Sequence, residues 1–265
     1  MLELRNISKT FYPGTVNERV ALDNVSLTLN DGDVVTVIGG NGAGKSTLLN
    51  MIAGTLPVDE GKILIDGHDI THYPEYKRAK FLGRVFQDPM TGTAASMGID
   101  ENLALALRRG KRRGLGWGIT KKERAKYVDM LAEFGLGLES RVTAKVGLLS
   151  GGQRQVLTLL MATLKQPKLL LLDEHTAALD PKTAKLVLEA TDKIIRENKL
   201  TAVMITHNMN DAIQYGNRLI MMMDGHIIYD VAGEEKKALT VPDLLKKFEE
   251  YSGGHFANDR MMLSK

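Results

Sequence analysis

Between residues 39 and 46 the chain reads Gly39-Gly40-Asn41-Gly42-Ala43-Gly44-Lys45-Ser46, which is the spacing G-x-x-x-x-G-K-[ST]. Glycines at this spacing let backbone N–H groups turn inward around a polyphosphate, and a helix starting near Lys45 adds its positive end. Lys45 can then reach the β- and γ-phosphates, and the Ser46 hydroxyl can ligate Mg²⁺. A second group is Leu169-Leu170-Leu171-Leu172-Asp173-Glu174, an apolar strand that ends in two acids. Adjacent carboxylates in such a place are costly unless a cation or a proton uses them. Asp173 suits a Mg²⁺ ligand, while Glu174, pointing to the other side of the strand end, can polarise a water for attack on a γ-phosphate. A third group is Leu149-Ser150-Gly151-Gly152-Gln153-Arg154-Gln155. A serine and two glycines opening a helix form another anion-binding N-terminus. One loop already serves the phosphates, so a second cradle needs an explanation.

The elements that must hold these groups can be read from pattern. Val25, Leu27 and Leu29 alternate with polar neighbours, as in a half-buried strand. The turn Asp31-Gly32-Asp33 leads into a β-branched strand at 34–38, then the glycine loop, then a helix at 46–53 that Gly54 ends. Further strands are expected at 62–65 and 83–86. From about 88 to 165 strand signals vanish and helical patterns appear at 99–107, 121–134 and 152–164. Strand–helix alternation then returns, with strands at 169–172, 201–205 and 219–223 and a helix at 181–196. Such alternation argues for a largely parallel sheet covered on both faces. A last helix is expected at 241–251, followed by a frayed end.

Composition narrows the classes. The 265 residues are 43% hydrophobic and 25% charged, near the averages for globular domains. The formal net charge of +3 is too small to argue for nucleic acid. There is no cysteine, which excludes disulfides, thiolate metal sites and thiol catalysis and fits a reducing compartment. No apolar run approaches the roughly 18–20 residues that span a bilayer, so a role at a membrane is expected to come through a partner.

The loop, the acid pair and the LSGGQ run at 149–153 together closely resemble the ATP-binding cassette (ABC) family, over about residues 2–230. The resemblance implies an α/β fold: a P-loop NTPase core with a mostly parallel sheet, an N-terminal antiparallel β portion and an inserted helical subdomain. It divides the chain into a cassette at 1–230, with the core at 1–87 and 166–230 and the helical subdomain at 88–165, and a C-terminal helical tail at 231–265. It implies ATP and Mg²⁺ as cofactors. Gly39 to Ser46, with Thr47, would hold the nucleotide, and Phe11 or its neighbour Tyr12 would stack on adenine. Ser46, Asp173 and Gln87 would serve the metal. Glu174, His207, Lys45 and Gln87 would carry the catalysis.

In that family two cassettes pack head to tail, and Ser150, Gly151, Gly152 and Gln153 of one close over the ATP held by the other. Asp180 resembles the aspartate that communicates across this dimer, and His207 the switch histidine that contacts the γ-phosphate. His175 departs from the pattern, which has proline after the glutamate; no catalytic group is lost. The implied partners are a second cassette, integral membrane permease subunits and a solute-binding protein, with no nucleic acid. The implied place is the cytoplasmic face of the membrane. Import of a small solute such as an amino acid is the preferred reading, with an exporter or lipoprotein-release cassette, or a non-transport ATPase, as alternatives. The short interval from Gln87 to Ser150 lacks the heptads of DNA-repair members. The basic run Arg108, Arg109, Lys111, Arg112, Arg113 fits a headgroup or acidic-partner contact or, more simply, a solvated loop. Gly114-Leu115-Gly116-Trp117-Gly118 suggests a mobile loop.

Overall fold

The structure, a computed structural model, describes residues 1–110 and 118–252. In chain order β1 (Leu2–Phe11) and β2 (Arg19–Leu29) form a hairpin, and β3 (Val34–Gly39) runs through the glycine loop into α1 (Lys45–Ala53). Then come β4 (Glu60–Ile65), β5 (His68–Asp69), α2 (Glu75–Arg78) and β6 (Leu82–Val85). Three helices follow without a strand among the described residues: α3 (Ile99–Leu107), α4 (Lys121–Ala132) and α5 (Gly151–Thr163). The chain closes with β7 (Leu169–Asp173), α6 (Pro181–Asn198), β8 (Ala202–Ile205), α7 (Met209–Gln214), β9 (Arg218–Met223), β10 (His226–Ala232), α8 (Gly233–Ala238) and α9 (Val241–Ser252).

The strands make two sheets. One is antiparallel, in the order β2-β1-β4-β5. The other has the order β10-β9-β3-β8-β7-β6 and is parallel except for β10, which runs antiparallel to β9 at one edge. This is the mixed α/β architecture expected. The two kinds of strand follow their sequences. In β2, Val25, Leu27 and Leu29 are buried while Asn24, Ser26 and Thr28 face solvent. In β7 and β8 every residue from Leu169 to Leu172 and from Ala202 to Ile205 is buried, as a strand covered on both faces requires.

One consequence of this topology positions the site. β3, β8 and β7 are parallel neighbours, with Val37 beside Ile205 and Ile205 beside Asp173. Their C-terminal ends therefore lie along one edge of the sheet, the edge where open parallel sheets bind ligands. The glycine loop, the acid pair and His207 all follow those ends.

Helices α3, α4 and α5 do not form a core of their own. Leu103, Tyr127, Leu131, Val156 and Leu160 share one apolar cluster with Leu170 and Leu172 of β7. Beneath the loop, Arg78 is 1% exposed and its guanidinium donates to four main-chain carbonyls: Met51 at 2.6 Å, Ile52 at 2.9 Å, Thr71 at 2.6 Å and Tyr73 at 2.8 Å. Two of these belong to the last turn of α1, where carbonyls lack helical partners and the helix dipole is negative.

Several elements are not apparent in the sequence. In β1 a bulge between Leu4 and Ile7, with Asn6 at φ 50°, breaks the alternation of apolar residues. β10 carries a similar irregularity between Ile227 and Tyr229. α7 and α8 have six residues each, too few to display a helical period. The C-terminal segment docks firmly, since Leu244 and Phe248 of α9 are buried with Met209, Ala212 and Met221. Lys236 of α8 is 2% exposed and donates to the carbonyls of Ile213 at 2.8 Å, Tyr215 at 2.8 Å and Gly216 at 3.2 Å, where α7 ends. No described helix is long and apolar enough to cross a membrane.

Candidate active site

The glycine loop needs its glycines for close approach. A Cβ on Gly39 would collide with the Met222 carbonyl, and one on Gly44, at φ 98°, would lie 2.5 Å from the Ala21 carbonyl. Gly44 caps α1 with no side chain, and the first turn contains no acid, so no side chain of the helix competes for its N-terminal N–H groups. Lys45 is buried, and its Nζ donates to the carbonyls of Gly39 at 2.7 Å and Gly40 at 3.0 Å. An open cavity of ≈ 290 Å³ lies over the loop, lined by Phe11, Arg19, Ala21, residues 41–47, Glu174 and His207. Phe11 thus faces the cavity, with the Lys9 ammonium 5.8 Å from its ring centroid. Tyr12 is exposed and outside the lining.

On the opposite side, Glu174 takes a left-handed backbone conformation at φ 44°, and its N–H donates to Ile205 of β8 at 3.1 Å. Its Oε1 lies 2.6 Å from His207 Nε2. The hydrogen bond from His207 holds the Glu174 carboxyl below its usual pKa against the opposing effect of burial, and the charge of Lys45 helps. Asp173 behaves oppositely: burial raises its pKa, Arg84 and Lys45 pull it down, and Glu174 pushes it up. Two adjacent acids therefore sit in different electrostatic surroundings, one kept anionic and one short of compensating positive charge.

The remaining expected residues lie elsewhere. Gln87 is exposed just beyond β6 and does not line the cavity. Ser150 is the N-cap of α5 in a reciprocal arrangement, its Oγ accepting from Gln153 N–H at 3.3 Å and its own N–H donating to Gln153 Oε1 at 3.1 Å. Asp180 is exposed and caps α6 through Thr183 N–H at 3.1 Å. The two caps touch. A Cβ on Gly151 would lie 3.0 Å from Leu179 Cδ2, and one on Gly152 would collide with Thr183 Cγ2. None of residues 150–153 or Asp180 lines the cavity of its own chain.

His175 is buried directly behind the acid pair. Its Nε2 is 3.1 Å from Thr191 Oγ1, and Thr191 gives its hydroxyl hydrogen to the Val187 carbonyl at 2.7 Å. Thr191 must therefore accept, His175 Nε2 carries the proton, and buried Nδ1 is left without a partner. Burial pushes this imidazole down to a pKa of about 4. Between pH 6.5 and that value the unfolded chain binds a proton that the folded chain excludes. The stability is present above pH 6.5 and lost as pH falls through about 4, on the order of 3 kcal/mol over the interval. A His175→Gln variant keeps a donor for Thr191 without this titration. Its urea midpoint should fall less steeply from pH 6.5 to 4.5 than that of the parent.

Two cations in the site region carry no motif. Arg84 Nη2 reaches Asn50 Oδ1 at 2.7 Å and Asp173 Oδ2 at 3.3 Å, and its guanidinium lies 4.6 Å from the Phe86 ring centroid. Arg19 lines the cavity itself. Alternation in β6 could have flagged Arg84, set between buried Gly83 and Val85, but Arg19 opens β2 beside exposed Val20 and carries no such signal. Of the basic run, Arg108 is tied to Glu123 at 2.8 Å. Lys111, Arg112 and Arg113, with residues 114–117, lie outside the described residues.

With the glycine loop, the acid pair and His207 gathered at one edge of a parallel sheet, and the Ser150 helix cap set apart from them, the molecule is built as a P-loop ATPase. A family model described as ABC transporter matches residues 22–177. A tyrosine transport ATP-binding protein of Clostridioides difficile (strain R20291) is 47% identical over 249 residues, covering 94% of this chain and 99% of that protein. The chain also resembles the spermidine/putrescine import ATP-binding protein PotA of Pasteurella multocida (strain Pm70), at 33% identity, and spans 59% of its length. Among solved structures, the dimeric ATP-binding cassette MJ0796 bound to ADP and Pi superposes with a TM-score of 0.74 at 31% identity, covering 88% of this chain and 98% of that one. The chain belongs to the ABC transporter family, as an ATP-binding and ATP-hydrolysing cassette.

Proposed function

We propose that two cassettes, both copies of this chain or one copy and a close relative, close head to tail over ATP and drive separate membrane permease subunits. The observation that carries this is the Ser150–Gln153 helix cap with its two glycines, which lies outside the cavity of its own chain. A cradle that its own phosphates do not reach finds its use over the nucleotide of a partner. In this reading the core at 1–87 and 166–230 binds the nucleotide, and the helical subdomain at 88–165 lends its cap to the other copy.

Within each site, Phe11 stacks on the base and residues 39–47 hold the phosphates. Glu174 orients or deprotonates the attacking water, and His207 and Lys45 oppose the charge that develops on the phosphoryl oxygens. Mg²⁺ fits this donor set. No group of three or more His, Cys, Asp or Glu among the described residues could hold a metal, so a cation here would share its ligands with substrate phosphates, as Mg²⁺ commonly does. Ser46 and Asp173 would hold it, with Gln87 entering as the site closes, and it would supply charge neutralisation to the β- and γ-phosphates.

A groove of ≈ 430 Å³ between β6, α3 and α5, walled by Leu82, Arg84, Phe86, Leu105 and Met161, offers the permease a seat beside Gln87. In this reading the cassette works at the cytoplasmic face of the membrane, held there by the permease. The cargo we favour is tyrosine or a related amino acid, taken up with a solute-binding protein, in keeping with the 47% identity to a tyrosine transport protein. The test is purification of the intact complex from native membranes, followed by identification of its subunits and by labelled tyrosine uptake with the cassette deleted. Co-purifying permeases and lost uptake support the reading. A cassette found in the soluble fraction or on ribosomes, with uptake unchanged, defeats it.

A further inference from the structure

Arg19 belongs to no motif, yet it stands inside the nucleotide cavity. Its position follows from register. In the β1–β2 hairpin Arg19 is the direct cross-strand partner of Phe11, and residues opposite each other in an antiparallel pair share a face. The Arg19 side chain therefore leaves the sheet on the same face as Phe11 and reaches the phosphate loop, where Nη2 donates to the Gly42 carbonyl at 3.0 Å. The approach is close enough that a Cβ on Gly42 would collide with Arg19 Nη2.

What the guanidinium lacks is also informative. It is exposed, and among the described residues it forms no ion pair; the Gly42 carbonyl is its hydrogen-bond partner. Arg84 and Arg218, by contrast, each face a carboxylate. An arginine presents five N–H donors in a planar fork suited to phosphate oxygens, and one carbonyl uses one of them.

A nucleotide with its base on Phe11 and its terminal phosphates at Lys45 must pass between the two. The ground it crosses is the ground Arg19 holds. We propose that Arg19 is a nucleotide-binding residue that donates to the α-phosphate of the bound nucleotide. It would join the base-stacking strand to the phosphate loop across the ligand. This rests on the reading of the cavity as an ATP site and adds a specificity to it: the α-phosphate is recognised by a side chain, separately from the β- and γ-phosphates.

The test is binding of ATP, ADP, AMP and adenosine to the full chain without Mg²⁺, by calorimetry or by competition against ATP, for the parent, Arg19→Met and Arg19→Lys. Arg19→Met should weaken ATP, ADP and AMP by a common factor of about ten, as loss of one charge-assisted hydrogen bond predicts, and leave adenosine unchanged. Arg19→Lys should recover part of the loss, and in hydrolysis KM should rise while kcat holds. Unchanged ATP affinity in Arg19→Met overturns the assignment. So does a loss confined to ATP, which would mean a γ-phosphate contact, and so does an equal loss for adenosine, which would mean a disturbed Phe11. The two readings fail differently: a parent that binds no ATP removes the site, whereas a parent that binds and a variant that matches it remove only Arg19.

Discussion

A Glu174→Gln variant should bind ATP as the parent does and hydrolyse it roughly 10²–10⁴-fold more slowly, the range expected when a general base is removed. The geometry favours a clean result. Glu174 Oε1 accepts from His207 Nε2 at 2.6 Å, and a glutamine carbonyl oxygen accepts there equally well. The left-handed backbone at this position is no harder for glutamine than for glutamate. What is lost is the carboxylate that can take a proton from water, and with it the anion that His207 and Lys45 hold. Binding and turnover should therefore separate. With hydrolysis blocked, the closed pair should accumulate, visible as an ATP-dependent dimer in size-exclusion chromatography. Turnover at the parental rate would show that Glu174 is not the base.

The second large effect concerns stability. Arg78→Met should lower the free energy of unfolding by about 3 kcal/mol, since three buried carbonyls and one part-buried carbonyl lose a charged donor at once. The methionine fills much of the aliphatic volume but donates nothing. The penalty falls on the last turn of α1, whose carbonyls at Met51 and Ile52 depend on this guanidinium while Gly54 N–H serves Asn50 and Met51. For a chain of this length the melting temperature should drop by about 6–12 °C. Calorimetry or urea titration measures it, and a shift under 2 °C would mean that water replaces the arginine without loss. Because α1 starts at Lys45, the variant also asks how far the phosphate loop depends on the far end of its helix.

Much of the site was legible because its chemistry is local in sequence. The glycine loop, the acid pair and the serine-glycine cap each lie within eight consecutive residues, and the strands and helices beside them have the full periods that pattern reading needs. The family resemblance implies His207, and the parallel register of β3, β8 and β7 places it against Glu174. What the sequence hid depends on pairing across distance. Arg19 gains meaning from a hairpin register with Phe11, and Arg84 from a strand that brings it to Asp173. Arg78 resembles any charged residue of a short surface helix until its four carbonyls are seen. β1 escaped because a bulge shifts its apolar residues out of phase. His175 stands at the place where proline is expected, and its pairing with Thr191 across 16 positions gives it a structural role that no motif describes.

The three hydrogen bonds of Lys236 bear on how the molecule may be shortened. They fasten the end of α7, whose N-cap, Asn208, directly follows His207. A chain trimmed at the close of the recognisable motifs, near residue 230, would keep every phosphate-handling group yet release the anchor behind the histidine. A segment beyond the last motif is thus part of what holds α7, and the residue before its cap, in place.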